Sequence, residues 1–221
     1  MIVFVAVAGA LRPGYDANRH WISQLSLGPG GWAGALNLAT VGIWLFLAGL
    51  GLRSQVSRWG FRLLLGCGVD LVLIALFRTD AGIGYPPGLP AEHSLHGLVH
   101  KVLSLGLAGA GIGGVIALRT ALPFRRSPVA GLVTAALMAV AFAAGAVLVS
   151  LDANGVLSGS PSGLFERVAL FAGLGWIGAV SGWAAWGSSG RRPAAASPTD
   201  RPEPARTAGV ARDAARDGAG P

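Results

Sequence analysis

Residues 31–52, GWAGALNLATVGIWLFLAGLGL, run for twenty-two positions without a charged side chain. A helix needs about 20 predominantly apolar residues to cross a bilayer, so this stretch sets the class of the protein. Three more stretches reach or approach that length, at 97–118, 128–151 and 163–186. FRLLLGCGVDLVLIALF at 61–77 lies near the lower limit. The composition agrees: 52% of residues are hydrophobic, 12% are charged, and glycine and tryptophan are frequent. We expect an all-α polytopic membrane bundle of six transmembrane helices, the first one short or truncated.

That first helix is IVFVAVAGAL at 2–11. At about 1.5 Å per residue it covers roughly half of the ~30 Å hydrocarbon core. No basic residue precedes it, and the following RPGYD offers no small-residue cleavage site, which disfavours a signal peptide. The expectation is a membrane helix whose beginning lies upstream of Met1. Cys67 is the single cysteine, so no intrachain disulfide can form.

The formal charge of +7 suggests nucleic acid until its distribution is considered. Sixteen of the seventeen basic residues are arginines scattered over loops and the C-terminal stretch, with no basic face carrying interleaved aromatics. No nucleic-acid partner is expected; the partner is the lipid bilayer. The same arginines orient the chain. Arg53, Arg58 and Arg62 follow one span, Arg119, Arg125 and Arg126 another, and Arg191 and Arg192 begin the tail, whereas the alternate connections hold Asp16, Asp80, Glu92, Asp152 and Glu166. By the positive-inside rule the arginine-rich loops are cytoplasmic. The expected topology is multi-pass in the cell (plasma) membrane with both termini cytoplasmic. Residues 1–186 form the membrane domain, with 12–30 as a structured outer loop. Residues 187–221 are rich in Pro, Ala, Gly and mixed charge and read as a disordered tail. No period of 20–50 residues recurs.

With this orientation the polar residues gather at the outer end. In AEHSLHGLVHKVLSLG (91–106), His93, His96 and His100 fall within about 60° of one another on a helix, and Ser104 extends the line inward. Arg78 and Asp80 end the third helix; Glu166 and Arg167 open the sixth. The loop RPGYDANRHWISQLSLGPGGW adds Tyr15, Asp16, Arg19, His20, Ser23 and Ser26. Its Trp21, Ile22 and Leu25 suit the apolar face of a short interfacial helix, expected to lie across the mouth as a lid. Asp70 and Lys101 are expected at similar depth on neighbouring helices, where mutual pairing would offset the cost of two intramembrane charges.

The combination RPGYD…R.WIS.L..G..GW (12–32), F.TD (77–80), H…H (96 and 100) and G…R (163–167) resembles a bacterial and archaeal membrane family catalogued as domain of unknown function 998. The resemblance covers residues 1 to about 186. It implies six helices with polar positions at Asp16, Arg19, Ser23, Asp80, His96, His100 and Arg167, and no activity. The chain departs from the family pattern in its short first helix and in Arg78, where proline is more usual.

Five readings compete for the outer cluster. As structural glue, the polar side chains tie helices and loop together. As a metal site, His96 and His100 at i and i+4, with His93, His20 or Asp80, would hold zinc. Asp16, Asp80 or Glu166 would then act as base in hydrolysis of a lipid-like substrate. As a binding site, Arg19, Arg78 and Arg167 with His20 would receive the phosphate or carboxylate of a small molecule or lipid headgroup. Haem would need opposed histidines on two helices, and three of the four histidines lie on one. Nucleophilic catalysis by Ser23 or Ser26 with His20 lacks an elbow signature. Gly109/Gly113 and Gly178/Gly182 have the spacing of helix-packing pairs. The expected function is therefore binding of a small ligand, lipid headgroup or metal at the outer face; a metal-dependent hydrolase and a purely structural cluster are the alternatives.

Overall fold

The computed structural model of the chain describes residues 1–119 and 128–189. Arg125, Arg126, Arg191, Arg192 and the tail beyond 189 lie outside the described residues. Among the described residues six α-helices follow one another: α1 (Ile2–Leu11), α2 (Gly31–Leu52), α3 (Arg58–Leu76), α4 (Leu95–Leu118), α5 (Val129–Ala153) and α6 (Ser162–Ser189). There is no strand among the described residues; one isolated bridge joins Gly82 and Tyr85. Helices α2 to α6 are long and apolar enough to cross a membrane, while α1 is too short to do so alone.

The helices present to their surroundings what a soluble protein would hide. Ile43, Trp44 and Leu47 on α2, Val102 and Leu105 on α4, and Val133 and Val140 on α5 all point outward. An apolar exterior of this extent is stable only against lipid. Inside, α2, α3, α4, α5 and α6 pack in chain order, each antiparallel to the next, and α4 also touches α6. Small residues set the closest approach. A Cβ on Gly42 would come 2.6 Å from the Gly68 carbonyl oxygen, and one on Gly68 2.7 Å from that of Gly42, so α2 and α3 meet backbone to backbone. Ser57 and Ser94 cap α3 and α4, accepting from the amides of Gly60 (3.1 Å) and Gly97 (3.0 Å).

Antiparallel succession brings the loops 12–30, 77–94 and 154–161 to one end of the bundle, called the plug end below. Arg53, Arg58, Arg62 and Arg119 lie at the other. Two expectations are corrected here. The segment expected as an interfacial lid forms a single 3₁₀ turn, Ile22–Ser26, with all five residues buried, polar and apolar alike. It is pressed into the bundle as a plug rather than laid across it. Asp70 and Lys101 do not pair: the one ion pair among the described residues joins Arg19 and Asp152. Lys101 faces outward, whereas Asp70 is half-buried at the α3–α4 seam, with its carboxylate beside Gly106.

Candidate functional site

The plug is held by polar side chains whose partners are mostly its own backbone. Arg167, buried on α6, donates to the carbonyls of His20 (2.9 Å) and Gly163 (2.8 Å) and to the Tyr15 hydroxyl (2.5 Å). Tyr15 in turn donates toward the carbonyls of Trp21 (3.0 Å) and His20 (3.2 Å). Burial, the largest influence, outweighs the nearby Arg167 and pushes the Tyr15 phenol up to about 12, so it stays a neutral donor. Ser162 donates to the Arg19 carbonyl (2.9 Å), and the Leu164 amide, one of the helix-start donors that lacks a partner in its own helix, donates to the Asn18 carbonyl (2.9 Å). Glu166 accepts the Ile22 amide on Oε2 (2.5 Å).

Arg19 reaches the end of α5 and grips Asp152 with both forks, Nε to Oδ2 and Nη2 to Oδ1, each at 2.7 Å. The Asp152 hydrogen bond holds the Arg19 guanidinium above its ordinary range, against the opposing effect of burial. Arg12 donates to the carbonyls of Leu27 (2.8 Å) and Gly30 (2.6 Å), closing the loop on itself. Gln24 accepts from the Trp21 amide (2.9 Å) and donates to the Gly82 carbonyl (3.0 Å), joining the plug to the α3–α4 loop.

His20 makes the other tie to that loop. Its Nδ1 accepts the Asp16 amide (2.8 Å), so the proton sits on Nε2, which donates to the Ile83 carbonyl (3.1 Å). Ile83 holds that carbonyl in place with φ 49°, a region a β-branched residue rarely adopts. The imidazole packs on Tyr15 and Tyr85, centroids 5.5 and 5.3 Å away. Burial is the largest influence on His20 and lowers its pKa, the bond to Ile83 opposing it. A lowered folded pKa means that the unfolded chain takes up the proton first. This contribution to stability is therefore full above the ordinary histidine value and is lost as pH falls below it, at up to ~1.4 kcal/mol per pH unit. Thermal unfolding of the wild type should occur at lower temperature at pH 5 than at pH 7.5. In His20→Gln the slope with pH should flatten; equal slopes in both proteins would refute the assignment.

The remaining sequence candidates separate. Asp80 accepts the Ser94 amide (2.9 Å) and hydroxyl (2.5 Å), anchoring the start of α4. Burial pushes its carboxyl up, but these two bonds prevail and hold it below the usual range. Asp16 is exposed and accepts the Asn18 amide (2.8 Å). Arg78 is exposed. The histidine line is broken because α4 begins at Leu95 with Ser94 as its cap, which leaves His93 outside the helical register. His96 is exposed with its ring 5.5 Å from that of Phe77, while His100 is buried and donates from Nδ1 to the Phe77 carbonyl (2.7 Å). Among the described residues no group of three His, Cys, Asp or Glu side chains could hold a metal ion, so the zinc reading finds no ligand set there.

Beneath the plug lies a cavity of about 80 Å³. That is several times the ~10–15 Å³ one water needs. Its wall is largely apolar: Leu38 and Leu45 from α2, Cys67, Leu71 and Ile74 from α3, Leu107 and Ile112 from α4, Met138 and Phe142 from α5, and Leu170, Gly173, Leu174 and Ile177 from α6; Ser104 of α4 also lines it. The lining of α6 alone, from Glu166 to Ile177, covers about 16 Å along the helix axis. At the plug end the wall turns polar with Trp21, Ser23 and Glu166. Sequence reasoning singled out Ser23 and Glu166 as polar candidates, but missed the cavity, Arg12, Gln24 and the Asp152 pairing. Asp152 could have been suspected from its place at the end of α5, opposite an arginine-bearing loop.

A family model described as "Protein of unknown function (DUF998)" matches residues 1–183. No curated protein and no solved structure matches the chain.

Proposed function

Because the chain belongs to the DUF998 family of proteins of unknown function, and is a multi-pass integral membrane protein, we propose its role from its own geometry: it binds the hydrocarbon chain of an amphiphile inside the bundle, with the ligand's polar end beneath the plug. One observation carries this reading, the long apolar cavity that ends in polar side chains. Water gains few partners along such a wall, whereas each buried CH₂ of a ligand is favourable by about 0.8 kcal/mol. Helices α2 and α6 scarcely meet, and Met1 lines the cavity; the seam beside α1 is the proposed way in from the bilayer.

The arginines speak against an anionic headgroup as the main determinant. Arg19 is committed to Asp152 and Arg167 to plug carbonyls and Tyr15. Catalysis has weaker support. His20 has both ring nitrogens engaged by backbone, so it does not serve Ser23 as a base. The arginines at the opposite end support a topology with the plug outward and both termini cytoplasmic in the cell membrane; residues 1–186 are then the binding domain.

The test is photolabelling of the full chain in lipid nanodiscs with an alkyl probe carrying a diazirine in its chain. Adducts are expected on α4 between Leu107 and Ile112 and on α6 between Leu170 and Ile177. Ala108→Trp, which fills the cavity, should suppress them at least severalfold. Adducts confined to outward-facing positions such as Val102 and Leu105, unchanged in the variant, would refute the reading.

A further inference from the structure

The polar end of the cavity presents an unequal set of hydrogen-bonding groups. Trp21 Nε1 is a buried donor with no acceptor, although its ring is well seated against Phe142, centroids 5.9 Å apart. Buried donors of this kind are rare in folded proteins and call for a physical explanation. Glu166 is 5% exposed and gives Oε2 to the Ile22 amide, while Oε1 has no hydrogen bond. Trp21 adjoins Ile22 in the chain, and both Trp21 and Glu166 line the cavity. Ser23, also in the lining, has a hydroxyl with no partner among the described residues.

We propose that the Trp21 indole N–H and the Glu166 carboxyl, both from residues that line the plug end of the cavity, together recognise a hydroxyl head, so that the ligand is a long-chain alcohol or an amphiphile presenting one. The inference rests on the cavity being the binding site and adds its specificity. The chemistry follows from donor and acceptor inventories. A hydroxyl accepts the Trp21 proton and donates to Glu166 with the same oxygen. An ammonium can pair with Glu166, but it has donors only, so it leaves the indole unsatisfied, and the cost of stripping its water against an apolar wall offsets the Coulombic gain. A phosphate monoester brings negative charge against Glu166, and the guanidiniums of Arg19 and Arg167 are already committed elsewhere. An unmatched buried group is costly enough to separate these heads by about tenfold or more in affinity.

The experiment is competition against the diazirine alkyl probe by dodecanol, dodecylamine and dodecyl phosphate, on the full chain in nanodiscs. Dodecanol is expected to halve labelling at about one tenth the concentration the other two require. Trp21→Phe keeps the ring contact with Phe142 and removes the donor; the gap between alcohol and amine should close. Glu166→Gln removes the charge and supplies a donor, so the phosphate should gain most. Equal competition by all three in the wild type overturns the hydroxyl assignment and leaves the cavity reading standing. Cavity labelling that none of the three reduces overturns both. A gap that survives unchanged in folded Trp21→Phe and Glu166→Gln also overturns the assignment, since a merely structural role for the pair would not set the ratio.

Discussion

Arg167→Leu is expected to destabilise the protein by about 3 kcal/mol, more than any other side-chain replacement at the plug. Hydrogen bonds to a charged donor contribute roughly 1.5–3 kcal/mol each, and Arg167 makes three, to His20, Gly163 and Tyr15. Part of that is returned, because leucine relieves the burial of a guanidinium. The His20 carbonyl also keeps its weaker contact with Tyr15 at 3.2 Å. The deficit is not recovered, since nothing apolar replaces the fork that ties α6 to two points of the 12–30 loop. Arg167→Lys keeps the charge but lacks the planar fork, and should fall between leucine and wild type. Thermal unfolding in detergent, with limited proteolysis of loop 12–30, reads both effects. A leucine variant that melts with the wild type and resists protease equally would show that the plug is held by its apolar contacts alone.

Gly163→Ala should be nearly as damaging, although alanine ordinarily favours a helix by about 0.5–1 kcal/mol over glycine. A Cβ at this position would overlap the His20 carbonyl oxygen and lie 2.8 Å from its carbon and 3.0 Å from the Ala17 oxygen. These are backbone atoms of the plug, fixed by Ser162, Leu164 and Arg167, and they cannot rotate aside as a flexible side chain would. Gly34 on α2 stands in the same relation to the far side of the plug, where a Cβ would overlap the Leu25 carbonyl. The expected loss for Gly163→Ala is about 2–3 kcal/mol, in the range of overpacked cores. Gly178 supplies the control on the same helix: no atom lies within 4 Å of a Cβ there, so Gly178→Ala should be neutral or slightly stabilising. Equal melting temperatures for the two variants would mean that the loop backbone adjusts and is not seated on the glycine.

Both predictions concern contacts between a loop and distant helices, and this is where the sequence alone fell short. Length and apolarity marked each long helix, since a membrane demands about 20 apolar residues of any segment that crosses it, and that demand is local. The gathering of Tyr15, Arg19, His20, Asp80, Glu166 and Arg167 at one end was also legible, because antiparallel spans of matched length bring alternate loops together. The assignment of partners was not. Arg19 meets Asp152 across 133 residues of chain, and no spacing rule connects them. Histidines at 93, 96 and 100 read as one helical line, but the line holds only where the helix exists, and Ser94, bound to Asp80, starts it too late for His93.

The sequence by itself determined that this chain is a helical membrane protein, where its long spans run and which end of the bundle is polar. Those properties follow from the solvent, which acts on each segment independently. Only the tertiary structure decided that the polar side chains serve chiefly to seat a plug, and that Trp21 and Glu166, two residues lining an apolar cavity, keep polar atoms without hydrogen-bond partners. A cavity is a shape left between five helices and a loop. It depends on how closely Gly42, Gly68, Gly34 and Gly163 let backbones approach, and no single segment carries that information.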